Sequence, residues 1–344
     1  MPVYNTPEDR LYCSVRSVLN QTYRNFELVI VDDGSEPKCA TLCDTIKQLD
    51  TRIAILHQNN AGVSMARNIG TRLSIGNYVM YMDSDDYLAP YALEEGVSVI
   101  QKTYADFLFA AIQHIRKISD FAGSKNDVRN VYTFYDKNHI DCIRHSFFTQ
   151  RNPQYNNVSE VGFVNRGPCA RFVAADIAKT VTFNEKLKLG EDVDWNMRVL
   201  NACSSAVYVP SIWYGYLIYE NSSLRRYYGN RAELLASYHN ELYSNNREYC
   251  DNHPEDYAMN MAVSFYSMVQ FEYLSKEAPL TSVQKNKEIA GLLKQEPWCI
   301  LVDRNNQLRL PLKYKVFLGM CKCGIGVSFL KLREDLLFWK RKLR

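Results

Sequence analysis

The sequence predicts an α/β protein: a mostly parallel sheet flanked by helices, followed by a helical C-terminal region. Three observations carry this. Short apolar runs alternate with helix-period segments from Pro2 to Ile112, with short connections between them. Carboxylates stand directly behind two of those runs, at Asp32-Asp33 and at Asp83-Ser-Asp-Asp86. From Gly229 onward, helix-period apolar residues continue without strand-like runs.

Composition narrows the field. A chain of 344 residues holds one large domain or a domain with an appendage, and 47% hydrophobic content is that of a folded protein. A formal charge of +3 gives no argument for nucleic acid as a partner. The ten cysteines are irregularly spaced and no signal peptide precedes them, which favours reduced thiols in a cytoplasmic setting. No apolar run is long enough to span a bilayer as a helix, so any membrane contact is expected to be peripheral.

In chain order, Thr6-Pro7-Glu8-Asp9 reads as a capping box opening a helix, with Leu11, Val15, Val18 and Leu19 on its inner face. Glu27-Leu-Val-Ile-Val31 is an apolar β-branched run of the kind that parallel strands buried on both faces show. Leu42, Ile46 and Leu49 give a second helix, and Ile53–Leu56 a further strand. The segment Asn59 to Gly70 leads into a helix carrying Ala66, Ile69 and Leu73. Tyr78 to Met82 is the next strand, Pro90 opens a helix with Leu93, Val97 and Ile100, and Ala105 to Ile112 is a strand again. Residues 115–160 are polar and irregular. Gly190-Glu-Asp-Val-Asp194 reads as a turn entering a helix, and Ala206 to Pro210 and Trp213 to Tyr219 as two short strands. Helices then follow around Leu234–Leu242, Met261–Leu274 and Ile289–Leu293. The end, 310–344, mixes apolar and basic residues. It fits either a helix lying on an anionic membrane surface or a terminal helix packed on the domain with a basic outer face.

In open α/β sheets ligands bind outside the carboxyl ends of the strands, and Asp32, Asp33, Asp83 and Asp85 all stand at such ends. Clustered carboxylates repel one another unless a cation or strong donors compensate, and all-oxygen donors suit Mg²⁺ or Mn²⁺. An isolated D-x-D is as readily a solvated acidic turn. For Glu191 and Asp192, simple helix N-terminal chemistry is the plain alternative, with a salt bridge to Arg198. Neither G-x-G-x-x-G nor a P-loop is present.

Taken in order, Pro2-Val-Tyr-Asn5, Ser17-Val-Leu-Asn-Gln-Thr-Tyr23, Val31-Asp-Asp-Gly-Ser35, Asn60-Ala-Gly-Val-Ser-Met-Ala-Arg-Asn-Ile-Gly70, Asp83-Ser-Asp-Asp86 and Gly190-Glu-Asp192 resemble the family 2 glycosyltransferases of GT-A (Rossmann-like) fold, above all bacterial enzymes of surface and capsular polysaccharide. The resemblance covers residues 1–225, leaving 226–344 as the helical region with its basic tail. It implies inverting transfer from a nucleotide-sugar donor, usually a UDP-sugar, with Pro2, Val3 and Tyr4 flanking base and ribose. It places Asp32 and Asp33 at the nucleoside and Arg67 near the base or phosphates. Asp83 falls near the ribose and metal, Asp85 on the metal (Mn²⁺ or Mg²⁺), and Asp192 at the catalytic base. Asp86 is expected to cap its turn or touch the sugar, Glu191 to orient the site, and Asp194 to face acceptor or solvent. Family members begin with a longer apolar strand before the Pro-Val-Tyr-Asn equivalent. Here Met1 directly precedes Pro2, so neighbouring strands are expected to lack a partner.

The leading functional reading is transfer of a sugar to a growing, lipid-linked oligosaccharide at the inner face of the cytoplasmic membrane. The competing one is a catalytically silent nucleotide-sugar-binding subunit of a polysaccharide assembly complex. Donor sugar, linkage and oligomeric state have no readable code in the sequence.

Overall fold

The computed structural model describes residues 1–125, 131–149, 166–219 and 226–333. The chain forms two compact units, Met1–Tyr219 and Glu220–Arg344. The expected boundary at 225 falls outside the described residues.

The first unit opens with β1 (Pro2–Val3), α1 (Glu8–Leu19), β2 (Leu28–Asp33), α2 (Pro37–Lys47), β3 (Ile53–Gln58) and α3 (Val63–Leu73). β1, β2 and β3 form a parallel three-stranded sheet with Val3 beside Asp32 and Asp32 beside His57. That register brings the ends of the first strands to one edge, as the apolar runs predict. α1 buries Leu11, Val15 and Val18, also as predicted. The Thr6 capping box does not form: Pro7 holds the cap position without a side-chain hydrogen bond. The Thr6 hydroxyl lies 2.6 Å from that of Ser84 in the acidic turn, so a long-range partner takes it from its own helix. Leu49 and Leu73, read as stripe residues, are exposed at the ends of their segments.

The second sheet is built from β4 (Tyr78–Val79), β5 (Tyr87–Leu88), β6 (Phe107–Ile115), β7 (Tyr132–Phe134), β8 (Arg171–Ala174) and β9 (Ala206–Leu217). Its order is β4-β8-β6-β9-β5, with β7 also on β9. Here the expectation of a mostly parallel sheet needs correction: β6 and β9 run parallel, while the other four pairings are antiparallel. The helices of this region are α4 (Ala92–Thr103), α5 (Lys137–Thr149), α6 (Ala175–Thr180) and α7 (Glu191–Ala202). Two strands were predicted where β9 runs unbroken; its register against β6 shifts beside Pro210, which has no N–H to give the ladder.

The two sheets share no hydrogen bonds among the described residues. A cavity of about 650 Å³ lies between them, lined by Leu28 and Val29 of β2 and by Tyr78, Val79 and Met80 at β4.

The second unit is all-helical: α8 (Arg231–Asn245), α9 (Arg247–Asn252), α10 (Pro254–Met268), α11 (Ser282–Leu292), α12 (Arg304–Arg309) and α13 (Leu312–Lys322). α10 supplies its centre through Met261, Ala262, Phe265 and Met268. The stripe of α13 turns inward, with Phe317 against Tyr266 at 4.9 Å between ring centroids. For residues 312–322 the packed reading of the tail therefore holds. Residues 334–344 lie outside the described ones. All ten cysteines are free.

Candidate active site

The acidic turn is anchored from below. Tyr81 donates to or accepts from Thr71 through their hydroxyls at 2.7 Å, and its ring meets Phe183 and Trp195 edge-on. The three acids above it have different fates. Asp86 is buried, accepting from the Tyr214 hydroxyl and the Leu217 amide, both at 2.8 Å. It ties the turn to β9, which removes it from sugar contact. Asp85 accepts from the Tyr219 hydroxyl at 3.0 Å, and the Arg10 guanidinium stacks over that tyrosine ring. Asp83 accepts from Arg67 through one oxygen at 2.9 Å. Burial, and then the charge of Asp83, hold the carboxyls of both Asp85 and Asp86 above the usual range. The cluster is short of positive charge.

At the end of β2 both acids are buried and engaged. Asp32 accepts from the Ser35 amide and lies 2.7 Å from His57 Nδ1, whose other nitrogen is 3.1 Å from Asp44. Asp33 accepts from Gln58 and from the amides of Ala61 and Gly62. Those bonds close the turn that enters α3, where Gly62 sits at a φ of 94° that suits glycine. Gly34 is fixed equally tightly, since a Cβ there would stand 2.5 Å from the Asn60 amide nitrogen. Val3 is buried, whereas Tyr4 is exposed beside this edge. Of Pro2, Val3, Tyr4, Asp32 and Asp33, Tyr4 is exposed, Pro2 is half-buried and the other three are buried.

Arg67 does not point into open space. It is buried, donating to Asp83 and, at 3.3 Å, to Glu191, with its guanidinium over the Phe183 ring. The first turn of α7 is thereby drawn to the acidic turn. Glu191, held by Arg67, is raised above its ordinary pKa, by burial first and then by the adjacent Asp192. Asp192 is half-buried and, among the described residues, receives its neighbour's amide, that of Val193, at 2.8 Å. Asp194, expected to face acceptor or solvent, is fully buried and paired with Arg198 at 2.8 Å. Behind Asp192, the buried Arg171 reaches Asn196, whose amide donates to the Asp192 carbonyl. Sequence reasoning missed Arg171, Tyr214 and Tyr219; the aromatic run Trp213–Tyr219 was the only local sign of the last two.

Asp83 and Asp85 offer hard oxygen donors in a cluster that Arg67 compensates only in part, which fits a divalent ion. Among the described residues no group of three or more potential ligands comes together. The pair therefore fits an ion whose remaining ligands come from a diphosphate and water.

Comparison with known proteins agrees with this picture. The family model "Glycosyl transferase family 2" matches residues 1–157. Glycosyltransferase GlyA of Streptococcus pneumoniae is 29% identical over 227 residues, which cover 65% of this chain and 31% of GlyA. The chain thus spans about a third of the length of the curated relatives it matches first. Among solved structures, S. aureus TarS 1–349 in complex with UDP-GlcNAc aligns with a TM-score of 0.63 at 14% identity, over 97% of this chain and 89% of that one. Mannosyltransferase PcManGT from Pyrobaculum calidifontis, in complex with GDP-Man and Mn²⁺, aligns with a TM-score of 0.54 at 12% identity, over 96% and 85%. These two establish likeness of fold. Within residues 1–157 the chain is thus similar to glycosyl transferase family 2.

Proposed function

We propose that the protein is an inverting glycosyltransferase that moves a sugar from a UDP-sugar to a hydroxyl of a growing, lipid-linked oligosaccharide of bacterial surface polysaccharide. The observation that carries this reading is that Arg67, paired with Asp83 and with Glu191, links the turn of Asp83 and Asp85 to the first turn of α7, which bears Asp192. Single displacement needs that division. The acceptor oxygen forms its bond to the anomeric carbon while the bond to the diphosphate breaks on the opposite face. The acceptor's proton goes to a carboxylate that cannot be one of those at the diphosphate. Asp192, with its side chain open and Arg171 behind it, is suited to take that proton. Asp83 and Asp85 would hold a divalent ion, which when bound offsets the charge that gathers on the leaving diphosphate. Minor teichoic acid biosynthesis protein GgaB of Bacillus subtilis, 24% identical over 226 residues, supports the surface-polymer context, and the UDP-GlcNAc in the TarS complex supports a uridine donor.

An anionic membrane face is a further proposed partner, supported by exposed Leu312, Val316, Ile325 and Leu332 among lysines and arginines of the last helices. It would place the protein peripherally on the inner side of the cytoplasmic membrane.

Asp192→Asn is expected to lower transfer by about 10²–10⁴-fold, the usual worth of a general base, with UDP affinity changed less than about twofold. Product formed from a UDP-sugar panel and a polyprenyl-linked acceptor, with UDP binding by calorimetry, measures both. Equal turnover in variant and parent would remove Asp192 as the base. UDP binding without any turnover in the parent would favour the silent subunit.

A further inference from the structure

We infer that Arg67 is a positioning residue, a buried strut that sets the base-bearing turn of α7 against the acidic turn, rather than a ligand of the nucleotide. The inference rests on the transferase reading above. Arg67 comes from α3, and its two carboxylate partners come from two other segments, at Asp83 and Glu191. Its side chain is only 6% exposed, and Phe183 lies under the guanidinium. Both terminal nitrogens are thus committed to carboxylates, and Nε is buried without a hydrogen-bond partner among the described residues. A phosphate or base could recruit Arg67 only by breaking one of these ion pairs inside the protein, where an abandoned charge is costly.

The geometry explains why Arg stands there rather than Lys. A planar fork can hold two carboxylates in divergent directions, whereas a single ammonium on a flexible stem cannot keep both in place. Glu191 is the residue before Asp192. A shift of the Glu191 carboxylate is therefore passed to the base through one peptide unit. Displacement chemistry is sensitive to such a shift: misplacing a reacting group by about 1 Å costs on the order of 10²-fold in rate. Glu191 is not among the groups assigned to the donor, so its loss should spare donor binding, whereas Arg67 also holds Asp83.

Three variants test this: Arg67→Met, Glu191→Gln and the pair together. For Glu191→Gln we expect kcat to fall by about 10- to 100-fold while KM for the donor and Kd for UDP stay within about threefold; for Arg67→Met, which also releases Asp83, we expect kcat to fall at least as far and by more than UDP affinity falls. The double variant should be no worse than Arg67→Met alone, because both remove one connection. Amide hydrogen exchange at residues 191–193 gives a readout that needs no turnover. It should quicken in both single variants, with circular dichroism and thermal melting confirming that each remains folded. Loss of UDP affinity matching the loss of kcat would make Arg67 a nucleotide ligand and overturn the proposal, as would fully additive losses. Unchanged exchange at the start of α7 would overturn it whether or not the parent transfers sugar. Quickened exchange in a parent without turnover would leave the strut standing and count against the transferase reading alone.

Discussion

At the scale of single residues, Asp32 shows how a site acid is held. Its carboxylate is clamped by His57, which bridges to Asp44 on α2, and the hydrogen bond to Asp32 is the main cause that raises the imidazole above its ordinary value of 6.5. The sign follows from linkage. A raised histidine pKa contributes stability that is complete below 6.5 and is lost as pH climbs through the higher folded-state value. Unfolding by urea on either side of that window should show the parent losing at most about 1 kcal/mol, because His57 is 40% exposed and solvent screens the pair. In His57→Asn that pH dependence should flatten; a slope equal to the parent's would place its origin elsewhere. Asp32, Asp33, Asp83 and Asp85 were legible as candidates because they follow strand-like runs, whereas Asp192 was singled out only by the resemblance. Their partners were not. Arg67 meets Glu191 across 124 residues and Tyr219 meets Asp85 across 134, and no local pattern encodes such a meeting. The same holds for Asp33, read as a nucleoside contact, whose oxygens go to the turn at 61–62.

At the scale of elements, helix and strand identities followed from periodicity wherever a run was long enough to show one. α1, β2, α3 and β6 announce themselves. β5, β7 and β8 are two to four residues long and carry no period, so the antiparallel part of the second sheet was out of reach. What fixes those short strands is contact across the layers, and Gly96 marks one such place. A Cβ on this α4 residue would stand 2.3 Å from the ring of Phe172 in β8, which itself meets Trp213 edge-on. Phe172 is buried, so its ring would have to move, toward the cavity that it lines. Gly96→Ala is therefore expected to destabilise the protein by about 1–3 kcal/mol through overpacking, despite the better helix propensity of alanine. Gly291 in α11 is the control: its Cβ would meet nothing, so Gly291→Ala should be neutral or stabilise by up to about 1 kcal/mol. Denaturant midpoints of the two variants measured together check both signs. A tolerated Gly96→Ala would mean that α4 and β8 can slide apart.

At the scale of the whole molecule, the candidate site residues all fall within residues 1–219, and the helical unit calls for a role of its own. Its last helices suggest one. α13 spends Tyr314, Phe317, Leu318 and Cys321 on its own core, so the full apolar stripe is not on offer to a bilayer. What remains outside is sparser: Leu312 at 75% exposure, Leu332 at 61%, and Lys313, Lys322 and Lys331 close to them in sequence. A few apolar side chains with basic neighbours make a weak, charge-dependent membrane contact, with each lysine worth about 1 kcal/mol near an anionic surface. The full chain is accordingly expected to cosediment with vesicles containing phosphatidylglycerol and not with neutral phosphatidylcholine vesicles, and to be released by raised salt. Leu312→Glu combined with Lys313→Glu should weaken that binding by about tenfold or more, while UDP affinity stays at the parental level. Equal binding to neutral and anionic vesicles, or a variant that binds as the parent does, would remove the membrane from this surface. The helical unit would then be a domain whose partner is recognised by some other face.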